Sequence, residues 1–479
     1  MSLNEFDMWY RTRYHRTSSA LTSTAFIISD LLGIMLSFGM GFFLVNIYDI
    51  DAINFKSFVT YWPYLPVFIL FFQVTNLYPG VSLAPAEEMR RFAIGSFWVH
   101  GGIILSRYIE DNEFDFISMA FIISCFFSTV VLMICRSCTH WVLHKTHLGG
   151  IPAVVFGGGS MGRMVVDRLL NSRKTGYVPV LILDDSVEDD NYRGIPIIHN
   201  TGAGPEIVGR YNIKMAIVAM DGQNQKDLAR LLNDSVSAFR YNVLVPDFFG
   251  VANIWMSVRD FNGILGFATS HKLKMFWNLG IKRLLDLSLV IIGGLVILPF
   301  LLIIALLIKI DSPGPAIYKH PRIGRNGKPF KVYKFRSMVL DAEERLLSLL
   351  AADPKAREEW EADHKLKNDP RITRIGKLLR QTSMDEFPQL FNILRGEMSL
   401  VGPRPIVEGE IKKYGEDFGR IFSVKPGMTG LWQVSGRSDT DYGERVALDT
   451  YYLQSWSVWL DFWVLYKTIG VVLRGKGAY

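Results

Sequence analysis

At 479 residues the chain exceeds one ordinary domain, and 49% hydrophobic residues with a mean hydropathy of +0.19 exclude a purely soluble globular protein. The net charge of +6 and pI near 9.0 are compatible with nucleic acid, but no nucleic-acid motif accompanies them. In so apolar a chain, a basic excess is more simply assigned to loops facing an anionic membrane leaflet. The three cysteines, Cys125, Cys135 and Cys138, fall in one apolar stretch and are odd in number, so they set up no disulfide framework.

Residues 21–47, 61–77, 92–108 and 114–143 are predicted membrane helices, and the first is too long for the core of a cleavable signal peptide. Arg11, Arg13 and Arg16 precede the first helix, Arg90 and Arg91 separate the second from the third, and Arg136 and Lys145 close the fourth. The opposite loops carry Asp49, Asp51, Glu110, Asp111, Glu113 and Asp115 against Lys56 and Arg107. The positive-inside rule therefore places both ends of a four-helix membrane domain, residues 1–148, in the cytoplasm. Cys135-x-x-Cys138 with His140, His144 and His147 has metal-ligating residue types. No compact loop gathers them, and a plain helix end is the expected reading.

Residues 149–270 read as a Rossmann-like α/β module. The strand 151–156 runs into Gly157-Gly158-Gly159-Ser160-Met161-Gly162, a G-x-G-x-x-G turn, and then a helix. Strand 178–183 ends in Asp184, where such folds place a ribose-binding acid, and further strands are expected at 214–220 and 241–245. Gly157, Gly159, Gly162 and Asp184 are thus candidate nucleotide-binding residues, although a glycine-rich turn also serves close backbone packing. Four membrane helices followed by a nucleotide fold also describe membrane-bound nucleotide-sugar dehydratases. Their Tyr-x-x-x-Lys pair has here only Tyr211-Asn212-Ile213-Lys214, one residue too short.

The last segment, 271–479, opens with an apolar helix over about 284–309. Lys282 and Arg283 precede it, while Lys309, Lys319, Arg322, Arg325 and Lys328 follow, so both flanks belong on the cytoplasmic side. Pro299 removes a backbone hydrogen bond in mid-helix, and a helix that enters, bends there and returns fits both facts; a plain fifth span is the alternative. Trp456, Trp459, Phe462 and Trp463 recur at helical spacing and are expected at the membrane interface.

Beyond this helix, Arg380 and Asp385-Glu386 precede Val401-Gly402-Pro403-Arg404-Pro405. Neighbouring carboxylates on a helix point about 100° apart and can take different tasks. One can attack phosphorus while the other holds a divalent metal, with Arg380 and Arg404 as planar phosphate donors. Ser383-x-x-Glu386 is equally a capping-box pattern in which Glu386 only satisfies a backbone N–H.

Lys334-Phe335-Arg336-Ser337-Met338, Arg380 with Asp385-Glu386, Ser399 through Pro405, and Lys425-Pro426-Gly427-Met428-Thr429-Gly430-Leu431-Trp432-Gln433-Val434-Ser435-Gly436-Arg437 together resemble the bacterial sugar transferase family, the monotopic polyprenyl-phosphate phosphoglycosyl transferases. With the four helices and the nucleotide fold, the resemblance extends to the large members and covers nearly the whole chain. Small members often carry Ser-Pro at the break in the membrane helix, where this chain has Leu298-Pro299. The resemblance implies an α-rich catalytic domain with a re-entrant helix in a multi-pass protein of the bacterial inner membrane, with membrane lipids as neighbours and a homodimer as its oligomeric form. It implies that Asp385 takes a phosphosugar from a UDP-sugar, releasing UMP, and passes it to undecaprenyl phosphate. Glu386 would bind Mg2+, and Arg380, Arg404, Lys334, Arg336 and Arg437 would hold phosphates. The product would begin an O-antigen, capsule or exopolysaccharide. Leu77-Tyr78-Pro79-Gly80-Val81 and Pro85 through Arg91 look most like galactose-1-phosphate transferases, with glucose-1-phosphate transferases nearly the same in architecture.

Overall fold

A computed structural model describes residues 3–14, 19–48, 59–78, 83–146, 150–171, 176–222, 225–245, 256–261, 264–269, 272–363, 366, 369–435 and 442–474. The chain divides into two compact units, Met1–Phe249 and Gly250–Tyr479.

The first unit begins with helix α1 (Leu3–Tyr14), followed by α2 (Ser19–Tyr48), α3 (Leu65–Val74), α4 (Pro85–Asp111) and α5 (Phe116–Lys145). Three described helices are long and apolar enough to cross a membrane: Ala20–Ile47, Phe116–Leu143 and Phe276–Asp311. The second and third expected spans differ from this. α3 has 10 residues, about 15 Å of rise against a hydrocarbon core of about 30 Å. α4 is 27 residues long but carries Glu87, Glu88, Arg90 and Arg91 in its first two turns, which dilutes its apolar run. Small residues let α2 and α5 approach closely: a Cβ on Gly33 would meet Leu132 Cδ2 at 2.9 Å. Rings then fill the interior, Phe38 standing edge-on to Phe121 at 5.1 Å and to Phe68 at 5.8 Å.

Arg136 is fully buried within this helical layer. Its guanidinium donates to Asp30 Oδ2 at 2.9 Å, Asp30 Oδ1 at 3.2 Å and Glu88 Oε1 at 2.5 Å. Tyr78 donates to Asp30 at 2.7 Å, and the Phe26 and Phe92 rings lie 4.8 and 4.9 Å from the guanidinium carbon. α5 continues helically through Cys135, Cys138 and His140, and among the described residues no group of His, Cys, Asp and Glu gathers into a metal site. The His144 side chain and His147 lie outside the described residues.

The α/β module follows as β1 (Ile151–Phe156), α6 (Ser160–Asn171), β2 (Tyr177–Leu183), β3 (Asn191–Tyr192), β4 (Ile195–Ile198), α7 (Gly204–Tyr211), β5 (Met215–Val218), α8 (Gln225–Asp234) and β6 (Tyr241–Leu244). The sheet order is β3-β4-β2-β1-β5-β6, parallel except at the β3–β4 pair. β1 and β2 are almost wholly buried, as continuous apolar strands covered on both faces should be. Gly157 has φ +116, and a Cβ on Gly162 would collide with its carbonyl, so these two glycines serve the tight strand-to-helix turn. α1 completes this core: Phe6 and Tyr10 pack against Tyr211 with ring centroids 5.0 and 5.4 Å apart.

The second unit opens with the hairpin β7 (Met256–Phe261) and β8 (Ile264–Thr269). Helix α9 (Phe276–Asp311) then runs unbroken through Pro299. The antiparallel pair β9 (Ile317–Ile323) and β10 (Pro329–Phe335) is followed by α10 (Ala342–Ala352), α11 (Pro354–Asp363) and α12 (Arg374–Gln381). A 3₁₀ segment (Met384–Gln389) leads into α13 (Leu390–Arg395) and then β11 (Ser399–Val401), which pairs in parallel with β12 (Gly427–Thr429). α14 (Leu431–Ser435), α15 (Tyr442–Ser455) and α16 (Val458–Arg474) close the unit. Asp461 ties its ends together, accepting from Lys282 at 2.7 Å, Tyr452 at 2.6 Å and Trp456 at 3.1 Å. Trp456 is therefore a core residue, 3% exposed, rather than an interfacial one, because its indole N–H has a buried carboxylate to serve.

Candidate active site

The Asp385-Glu386 pair lies in the 3₁₀ segment, where successive side chains diverge by about 120°. The expected capping box does not form: Ser383 adopts a left-handed conformation, φ 56, and makes no side-chain cap. Glu386 instead accepts from Lys334 Nζ at 2.7 Å, and the same ammonium lies 3.9 Å from Asp385 Oδ2. Asn392, fully buried six residues beyond Glu386, holds this segment to β10. It accepts from Tyr333 N at 3.0 Å and donates to Lys331 O at 2.8 Å and Glu397 at 2.7 Å.

One ammonium between two carboxylates gives them different electrostatics. Burial, with the neighbouring Glu386, pushes the Asp385 carboxyl above the usual aspartate range despite Lys334 and Arg380. Burial also works against the charge on Glu386, but Lys334, Arg404 and Arg322 outweigh it and hold that carboxyl below its usual range. Arg380 donates from Nε to Ser337 Oγ at 2.9 Å, and its attraction to Asp385 partly offsets the burial of its own charge.

Val332 and Lys334, two apart and therefore on one face of β10, line a recess together with Arg322, Glu386, Gln389, Arg404, Pro405, Gly427, Met428 and Gln433. Arg404 reaches it because Gly402 and Gly427 let their backbones meet: a Cβ on Gly402 would lie 2.9 Å from Gly427 N. Two guanidinium carbons stand over the Trp432 ring, Arg404 at 5.8 Å and Arg445 at 4.6 Å from its centroid. Among the described residues neither Arg322 nor Arg404 makes an ion pair, and each repels the other. Three cations against one carboxylate make the recess an anion site suited to the two charges of a pyrophosphate.

Of the residues expected from sequence, Asp385, Glu386, Lys334, Arg380 and Arg404 meet here. Arg336 does not: buried at 7% exposure, it donates to the carbonyls of Ser312 at 2.5 Å and Pro313 at 2.8 Å, and so closes the C-terminal end of α9. Arg437 lies outside the described residues. In the α/β module, Gly158 N donates to Asp184 at 2.5 Å, while Ser160 Oγ and Met161 N donate to Asp221 at 2.9 and 3.1 Å. The chain's own carboxylates thus stand where a phosphate would sit over Gly157, Gly159 and Gly162. Tyr211, half of the shortened dehydratase pair, is committed to Phe6 and Tyr10. Arg322, Asn392, Gln389 and Gln433 were not singled out from sequence. Arg322 stood in a basic run with nothing to distinguish it, Gln433 appeared only as one member of the Lys425–Arg437 motif, and Gln389 and Asn392 have no signature of their own.

The chain belongs to the bacterial sugar transferase family, which matches residues 277–475, and is a phosphoglycosyl transferase. A second family, described as a CoA-binding domain, matches residues 74–237. The chain is 38% identical to the undecaprenyl-phosphate galactose phosphotransferase of Salmonella typhimurium over 74% of each protein. It is likewise 38% identical to the UDP-galactose-lipid carrier transferase of Erwinia amylovora over 72% of each. It is 30% identical to the UDP-glucose:undecaprenyl-phosphate glucose-1-phosphate transferase of Escherichia coli, over 77% of this chain and 78% of that one.

Proposed function

We propose that this protein moves a sugar-1-phosphate, in the first instance galactose-1-phosphate, from a UDP-sugar to undecaprenyl phosphate through a phosphosugar held on Asp385. The observation that carries this is the pair of adjacent carboxylates with opposite electrostatic surroundings beside a cationic recess. In the first step an Asp385 oxygen bonds to the β-phosphorus, the bond from that phosphorus to the bridging oxygen breaks, and UMP leaves with the oxygen. In the second, a phosphate oxygen of the lipid bonds to the same phosphorus and the bond to Asp385 breaks, restoring the carboxylate. Arg322, Arg404 and Lys334 hold the pyrophosphate charge, and Arg380 steadies Asp385. Galactose is favoured over glucose by the names and higher identity of the first two relatives.

Among the described residues no group of three or more His, Cys, Asp and Glu side chains makes a self-sufficient metal site. Magnesium needs less, usually one or two carboxylates with water and substrate phosphates. Glu386, which bonds to Lys334 through one oxygen and lines the recess, suits an Mg2+ that arrives with the donor. When bound, the ion would neutralise charge on the departing phosphate.

The lipid acceptor requires the site to lie at a bilayer surface, and α9 supports this. Its first turns are fastened to the catalytic unit through Lys282, through Asp286, which accepts from Ser399 Oγ at 2.7 Å, and through Val290. Its last turns are fastened to the same unit through Ile308, beside Phe335 and Leu379, and through Asp311, which accepts from Ile375 N at 3.1 Å. Between them Ile292, Leu295, Val296 and Phe300 stand at least 63% exposed. Two anchored ends with an apolar middle suit a helix that dips into the bilayer at Pro299 and returns, keeping both soluble parts in the cytoplasm. In a cysteine-free background, Asn326→Cys in intact cells should resist a membrane-impermeant thiol reagent while Asp111→Cys reacts. Labelling at 326 from outside would show that α9 crosses.

Purified protein in lipid, given undecaprenyl phosphate and a UDP-sugar, should release UMP and form a lipid-linked sugar diphosphate, fastest from UDP-galactose. Absence of UMP from every UDP-sugar would refute the transferase reading. Faster turnover of UDP-glucose would correct the sugar alone.

A further inference from the structure

We infer that the amide of Gln433, together with that of Gln389, is the part of the recess that reads hydroxyl groups of the transferred sugar. The inference rests on the transferase function proposed above. Gln433 Oε1 is buried and has no hydrogen-bond partner among the described residues. A buried acceptor left unpaired is unfavourable unless a ligand completes it, and amide groups can both accept from and donate to a hydroxyl. Gln389 is 3% exposed and lines the same recess.

Position and composition choose the sugar over the nucleobase. The recess includes Glu386 and Lys334, which flank Asp385, and Asp385 attacks the phosphorus that carries the sugar; the nucleoside lies one phosphate further away. Among the described residues none of the lining side chains is aromatic, so a uracil finds no stacking face there, whereas a hexose needs polar groups in a shaped wall. The three cations of the recess are matched to phosphate, and the two amides are the uncharged hydrogen-bonding side chains left for hydroxyls.

Full-length protein is assayed for UMP release with UDP-galactose, with UDP-galactose analogues each lacking one sugar hydroxyl, and with UDP as a competitive inhibitor. The native protein should lose about 10–100-fold in kcat/KM on removal of at least one hydroxyl, because the amide is then left unpaired. Gln433→Met, nearly isosteric and apolar, should show a similar loss with UDP-galactose but no further loss with that analogue, and its inhibition by UDP should be unchanged. Three results would overturn the inference. Tolerance by the native protein of every hydroxyl deletion would do so whatever the variant does. Equal losses for UDP and UDP-galactose in Gln433→Met would assign the amide to the nucleotide or to folding. Unchanged kinetics in the variant would show no contact. A native protein inactive with every UDP-sugar would fail the transferase function itself, which is a distinct outcome, and the inference would fall with it.

Discussion

Asp385→Asn is expected to lower transfer on the order of 10⁴-fold or more, since an amide cannot form the covalent link that both proposed steps share. The same change should leave thermal stability equal or higher. Burial raises the Asp385 pKa above its unfolded value, so the charge on Asp385 opposes folding as pH rises through the raised pKa, and asparagine removes that opposition. Loss of activity with an undiminished melting temperature separates chemistry from collapse of the site. In the native enzyme the acid limb of kcat/KM should lie above the ordinary aspartate value of about 3.9. Lys334→Met should move it higher, because the ammonium favours the carboxylate. Appreciable turnover by Asp385→Asn would exclude it as the nucleophile.

Arg136→Leu should destabilise the helical layer of the first unit by about 3–5 kcal/mol, because it leaves Asp30 and Glu88 buried without their cation. The expected result is a lowered melting temperature in detergent and poor accumulation in membranes. Replacing Asp30, Glu88 and Arg136 together by apolar residues should recover much of the loss, since the large effect comes from the unpaired carboxylates rather than from the pair itself. An unchanged melting temperature for Arg136→Leu would mean that water or another cation reaches these acids.

What could be read from the sequence follows how local the determining interactions are. The strands of the α/β module came from runs of apolar residues and glycine spacing, and β1 occupies residues 151–156 as expected. The Asp385-Glu386 pair and Arg404 stood out because each lies in a compact local motif, the two motifs less than twenty residues apart. Arg136 was read only as a topogenic charge, because its partner Asp30 is 106 residues away and composition cannot reveal such a pairing. Arg336 sat two residues from Lys334 in the same basic motif and would share its face if the strand continued, but β10 ends at Phe335, and Arg336 turns instead to the carbonyls of Ser312 and Pro313. Asn392 follows the Asp385-Glu386 pair without a role that sequence could show, since it is held to β10 by contacts 59–61 residues earlier. α1 escaped notice because a short N-terminal helix becomes informative only when Phe6 and Tyr10 find the core of the α/β module.

Release of UMP by native protein with no lipid acceptor present tests the covalent route most directly. UDP-galactose labelled in the sugar, mixed with stoichiometric enzyme in acceptor-free detergent, should give a burst of UMP of about one per active site. An equal amount of label should remain on a peptide containing Asp385 and leave it when undecaprenyl phosphate is added. UMP that forms only after the lipid is supplied, with no label ever on the protein, would contradict the two-step mechanism and require direct transfer between the two substrates.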